Sequence, residues 1–192
     1  MHMGTIGARV ATVALLVLGT AGSALASAEA WEALRRPGAI AVMRHALAPG
    51  AGDPASFQID DCSTQRNLDE RGRMQARSIG AAFRAEGIAV DRVVSSQWCR
   101  CRETAELLGL GKVESLVSLN SFFGQYERSG PHTAATRAFL ATLPEGQRVV
   151  LVTHQVNISA LAGAYPASGE VFVLRLGVGG AVEITGRILI EP

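Results

Sequence analysis

Ala39-Ile40-Ala41-Val42-Met43-Arg44-His45-Ala46 is the stretch that decides how the chain is read. Its first five residues are small or apolar and have the character of a strand buried on both faces. The run then stops abruptly in a cation and an imidazole, which packing alone does not call for. In open α/β sheets, ligands gather at the carboxyl ends of the strands. A second run, Val149-Val150-Leu151-Val152-Thr153, ends in the same manner at His154, and a third, Val90 to Ser95, leads into Ser96.

Helical signals lie between these runs. Trp31 to Arg36 has room for a short helix before Pro37-Gly38 stops it. Asp69 sits at an N-cap position ahead of a segment reaching Glu86, with Met74, Ile79, Ala82 and Phe83 on its expected inward face and Gly87 closing it. Arg100 to Leu108 predicts a second helix, Thr133 to Leu143 a third between Pro131 and Pro144, and Val156 to Ala162 a fourth. Ser115 to Leu119 predicts a short strand. Val171 to Leu176 and Val182 to Ile190 predict a hairpin across Gly177-Val178-Gly179-Gly180, since no helix follows that glycine cluster to make it a phosphate loop. Alternating strands and helices define an α/β class: a three-layer α/β/α sandwich on a mostly parallel sheet.

The first thirty residues are of a different character. Arg9 precedes the apolar run Val10 to Leu18, and Ala24 and Ala26 stand in A-x-A spacing, the pattern of an exported leader cut after Ala26. Residues 27–192 are then expected to form one domain, periplasmic or secreted, with no stable membrane span after cleavage. Without Arg9 the 17 remaining basic residues equal the 17 acidic ones, which argues against nucleic acid or an anionic membrane as the main partner. A 48% apolar, 18% charged composition excludes a mainly disordered chain. Three cysteines, Cys62, Cys99 and Cys101, imply one bridge and one free thiol after export. Cys99 and Cys101 are too close to bridge each other, so Cys62 pairs with one of them. Cysteines one residue apart, flanking an arginine, do not fit the spacing of zinc ligands, and neither metal nor cofactor is expected.

If the three strands are neighbours, their carboxyl ends bring together two imidazoles and at least two guanidiniums, a pocket suited to a tetrahedral dianion. Met43-Arg44-His45-Ala46 resembles the Arg-His-Gly signature of the histidine phosphatase superfamily, the phosphoglycerate mutase-like fold. Arg66 to Ala76 resembles that family's Arg-x-Leu-x-x-x-Gly-x-x-Gln-Ala stretch. Ser95-Ser96 with Arg100 and Thr104-Ala105 resembles its Ser-Ser-x-x-x-Arg-x-x-x-Thr-Ala block, and Leu151 to His154 its late histidine. The resemblance runs from about Ala39 to Ala162. It implies a phosphomonoesterase in which His45 is the nucleophile, forming a phosphohistidine, while Arg44, Arg100 and His154 hold the phosphoryl oxygens. A small phosphomonoester is the implied substrate.

The chain also departs from the family pattern. Ala46 replaces the glycine of the first signature. Ser121 stands where mutase-type members carry a glutamate, and Gln155 where others carry an aspartate after the late histidine. Another group must protonate the leaving oxygen, and the order of candidates is Glu170, then Glu127, then Asp60 and Asp61. The alternatives to a phosphatase are a binding protein that keeps the pocket without efficient catalysis and, with less support, a phosphomutase. His132, in a Gly-Pro-His run without such company, is expected on a surface loop.

Overall fold

The computed structural model describes residues 21–192. The expected leader lies largely outside the described residues; helix α1 (Ala21–Arg35) includes the alanine after which cleavage was expected. Among the described residues no helix is long and apolar enough to cross a membrane.

A six-stranded sheet carries the fold. Its strands are β1 (Ile40–Arg44), β2 (Arg92–Ser95), β3 (Val113–Ser115), β4 (Val149–Thr153), β5 (Val171–Leu176) and β6 (Val182–Ile188). Their spatial order is β3-β2-β4-β1-β5-β6. The first four are parallel, and β5 and β6 continue the sheet antiparallel beside β1. Parallel neighbours need helical crossovers, which here cover both faces.

Alternation along β1 assigns the layers. Ala41 and Met43 face a cluster with Leu34 of α1, Ile79 and Phe83 of α2 (Glu70–Ala85), and Ala105 and Leu108 of α3 (Cys99–Leu108). Ile40 and Val42 face the other side, against Leu140 of α4 (Ser129–Ala141) and Ile158 and Leu161 of α5 (Gln155–Ala162). With both faces covered, all four of these β1 side chains are almost fully buried. Each large one contributes roughly 1.5–3 kcal/mol by leaving water.

The structure moves several expected boundaries. The β3 strand occupies Val113–Ser115, and residues Val117–Leu119 turn into a 3-10 segment instead of extending it. The chain leaves the sheet edge there because Leu119 is drawn inward: its carbonyl accepts a 2.6 Å hydrogen bond from Thr153 Oγ1 while its side chain is buried. Helix α4 begins four residues earlier than its apolar spacing predicts and holds Pro131 and His132 in its first turn, where a missing N–H breaks no hydrogen bond. On α2, Met74 is half exposed, while Gly72, Gln75, Ala76, Ile79, Gly80 and Phe83 form the inward stripe. Close approach sets that stripe: a Cβ on Gly80 would lie 1.9 Å from the Leu108 carbonyl oxygen of α3. Asp69 caps α2 as expected, accepting from the Gly72 N–H at 2.8 Å.

Candidate active site

Register places the chemistry. Arg44 pairs with Thr153 across β1 and β4, and Ser95 pairs with Val152 across β2 and β4. The residues that follow therefore emerge together: His45 N–H donates to the Thr153 carbonyl at 2.9 Å, and Ser96 N–H to that of Val152 at 2.9 Å. His45, His154 and Ser96 thus sit side by side at the carboxyl edge of three adjacent strands, and the two imidazole centres lie 5.6 Å apart. Arg100 arrives from the first turn of α3. Arg44, His45, Arg100 and His154 all line one cavity of about 420 Å³, so the structure brings these four sequence-predicted residues together.

The hydrogen-bond donors decide which nitrogens are free. His45 Nδ1 lies 2.8 Å from the Ala46 carbonyl oxygen, which can only accept. The proton is therefore on Nδ1, and Nε2 keeps its lone pair. Burial, reinforced by Arg100, holds the His45 pKa well below its ordinary value, so the ring is neutral at pH 7. His154 is likewise buried and held neutral. Arg100 donates toward its Nδ1 at 3.4 Å, placing its proton on Nε2, 2.9 Å from Ser96 Oγ. Ser96 in turn donates to Asn120 Oδ1 at 3.2 Å.

Arg66 and Asp53 line the cavity beside Arg100 and carried no assigned role in the sequence reading. Arg66 belongs to a quoted motif, and its guanidinium holds the Gly52 and Ala48 carbonyls of the β1–α2 loop. Burial and the neighbouring Arg100 push its pKa down to about 10, so it remains a cation at neutral pH. Asp53 is the other, and among the described residues it is the one carboxylate lining the cavity. Its oxygens accept from Arg100 at 2.7 and 3.1 Å, from the Arg66 N–H at 3.1 Å and from Trp98 Nε1 at 3.0 Å. Burial alone would raise its pKa, but Arg100 outweighs burial and leaves it below the usual carboxylate value. A glycine- and proline-rich loop offers no period from which to place a carboxylate, so only the motif residue Arg66 was within reach of sequence reasoning.

The proton-donor candidates are corrected by the structure. Glu170 lies outside the cavity, its carboxylate held by Arg187 Nε at 2.8 Å and by the Ala167 N–H at 2.8 Å. Its backbone carbonyl, not its acid, serves the site by accepting from the Arg44 N–H. Glu127 and Asp60 are exposed away from the cavity lining, and Asp61 caps a surface turn through Ser63. Ser121 and Gln155 do line the cavity, so the positions at which family members carry acids face it with neutral side chains.

A disulfide joins Cys62 to Cys99, resolving the choice between Cys99 and Cys101. It closes a 37-residue separation, worth about 4 kcal/mol in chain entropy, and ties the loop bearing Asp53 and Arg66 to the start of α3, beside Arg100. Cys101 is free and buried, and burial pushes its thiol up to about 12. Among the described residues no three His, Cys, Asp or Glu side chains gather to hold a metal ion.

The neutral histidines make stability pH-dependent. Their pKa values are depressed on folding, so the unfolded chain takes up protons first as pH falls through about 6.5. Stability is therefore lost as pH drops below that point, at up to about 2.7 kcal/mol per pH unit for the two rings together. Denaturant unfolding at pH 7.5, 6.5 and 5.5 is expected to show that fall, and His45→Gln is expected to reduce its slope by about half. A slope unchanged in the variant would contradict the assignment.

A three-layer sandwich with two histidines and converging arginines at the carboxyl edge of its sheet is the architecture of a phosphoryl-handling α/β protein. Residues 40–137 match the model of the histidine phosphatase superfamily (branch 1), and the chain belongs to that family. The solved protein histidine phosphatase SixA complexed with tungstate is 20% identical, with a TM-score of 0.57 over 78% of this chain and 96% of its own. A solved protein from Nakamurella multipartitia that carries the SixA name is 25% identical, with a TM-score of 0.53 over 71% of this chain and 83% of its own. A mycobacterial glucosyl-3-phosphoglycerate phosphatase bound to VO3 is 19% identical, with a TM-score of 0.54 over 71% of this chain and 92% of its own. No curated protein sequence matches the chain.

Proposed function

We propose that the protein is an exported phosphatase that works through a phosphohistidine on His45. The observation that carries this reading is the bare, neutral Nε2 of His45 beside Arg44, Arg66 and Arg100 in one cavity. A phosphomonoester would place its dianion among the guanidiniums, where two buried N–H groups, Arg44 Nε and Arg100 Nε, have no protein partner. His45 Nε2 attacks phosphorus as the P–O bond to the leaving group breaks, and the Ala46 carbonyl steadies the imidazolium that forms. Water then attacks the phosphohistidine, releasing inorganic phosphate and restoring neutral His45. His154, fixed by Ser96 through Nε2, takes a proton from solvent on Nδ1 as the dianion arrives and then donates it toward a phosphoryl oxygen.

The cavity's neutral Ser121 and Gln155, with Asp53 committed to Arg100, leave the departing group without a free carboxylic acid. The substrates it favours therefore carry leaving groups that depart without one, such as phenols or a ring nitrogen like that of the phosphohistidine for which the SixA neighbours are named. Exposed Phe123 and Arg128 at the mouth meet that part of the substrate. The leader pattern at residues 1–26 and the Cys62–Cys99 bridge support export.

The test is phosphate release by the purified protein from a series of aryl and alkyl phosphates. Turnover is expected to fall steeply as the leaving group becomes more basic. A protein that binds phosphate but releases none even from activated aryl esters is a binding protein, and the enzyme reading fails. Phosphate movement that depends on an added acceptor alcohol would instead support a mutase.

A further inference from the structure

Arg100 is 2% exposed, and its five N–H groups are unequally engaged. Nη1 donates to Asp53 Oδ1 at 2.7 Å and to the Arg66 carbonyl at 3.2 Å, which exhausts it. Nη2 donates to Asp53 Oδ2 at 3.1 Å and points its remaining hydrogen toward His154 Nδ1 at a long 3.4 Å. Nε is buried without a partner. A guanidinium has an end-on edge, formed by its two terminal nitrogens, and a side-on edge, formed by Nε and the nearer terminal nitrogen. Asp53 takes the end-on edge completely. The side-on edge, beside His154, is left with a poorly engaged donor and an orphaned one.

Asp53 does not depend on Arg100 for its own placement. The Trp98 indole and the Arg66 backbone N–H hold one oxygen each, Trp98 is stacked on Phe57 with ring centres 4.9 Å apart, and the Cys62–Cys99 bridge secures the same loop. The carboxylate is thus a fixed post and the arginine the part it aims. Two other roles are conceivable for an acid in this cavity. A competitor for the phosphoryl group would have to occupy the edge the group needs, and a proton donor would need a proton. Asp53 occupies the opposite edge, and its oxygens are already met by four N–H donors.

We propose that Asp53 is a positioning residue that holds Arg100 end-on, so that the guanidinium's Nε–Nη2 edge faces the phosphoryl group. The proposal rests on the reading of the cavity as a phosphoryl site.

Calorimetric titration with inorganic phosphate tests it without requiring turnover. Asp53→Asn, close in shape but unable to accept both Arg100 bonds, is expected to weaken phosphate binding about 10- to 100-fold, the range for losing a charge-assisted pair. In an Arg100→Ala background the same change is expected to cause no weakening, because nothing remains to be aimed, and to tighten binding as it neutralises the carboxylate that Arg100→Ala leaves unpaired in the cavity. That double variant leaves no buried charge unpaired, so it also serves if the single variant folds poorly. On substrate, Asp53→Asn is expected to slow aryl and alkyl phosphates by equal factors. Tighter phosphate binding in Asp53→Asn would make the carboxylate a competitor and overturn the proposal. Equal weakening in both backgrounds, or a loss confined to alkyl phosphates, would overturn it too. A wild-type protein that binds no phosphate removes the site reading and the proposal together; binding that is lost in Arg100→Ala but kept in Asp53→Asn removes the proposal alone.

Discussion

His45→Ala is expected to reduce turnover of an activated aryl phosphate by at least about 10⁴-fold while leaving the fold intact. The size follows from removing the atom that accepts the phosphoryl group, since losing a covalent nucleophile forfeits both half-reactions at once. The ring is also a desolvated, neutral group held by one backbone carbonyl, so the fold loses one hydrogen bond and some packing but no buried charge. A stability loss of about 1–3 kcal/mol is therefore expected alongside the catalytic loss. Steady-state kinetics with thermal unfolding on the same sample separates the two. Activity within tenfold of wild type would place the nucleophile elsewhere.

Arg100→Ala is expected to damage both activity and stability. Its free edge is a donor pair aimed where charge develops on the phosphoryl oxygens, and losing such a pair costs about 10²- to 10³-fold in rate. The change also strands Asp53, whose side chain is 16% exposed. Breaking a buried pair costs about 3–5 kcal/mol, and Asp53's two remaining donors bring the expected loss to the low end of that range. Arg100→Lys keeps the charge but not the fork, and is expected to recover less than about tenfold of the lost activity. Full recovery by lysine would show that charge alone suffices there.

The legible part of this protein was the part written as apolar runs. β4 matches its run from Val149 to Thr153 residue for residue, and β1 differs from its run by one residue at each end. Parallel pairing of those strands then aligned His45 with His154 with no further choice of register. Motif spacing picked Arg100, and α3 buries it while exposing Arg102 two residues on. What could not be read were residues positioned by irregular backbone. Asp53 reaches Arg100 across 47 residues through a loop with neither helical nor strand period. Glu170 headed the candidate acids, but just ahead of β5 its carboxylate is taken up by Arg187 of β6 and the Ala167 N–H. Met74 has helical spacing for the inward face, yet the contact of Gly80 with α3 rotates that face away from it.

The central claim is a covalent phosphohistidine on His45, and the most direct test is to trap it. The account predicts that rapid acid-free quenching of the protein with radiolabelled substrate leaves one phosphoryl group per chain, stable to base, labile to acid, and carried on the peptide containing His45. A label on any other residue, or turnover with no labelled protein at any quench time, would contradict it.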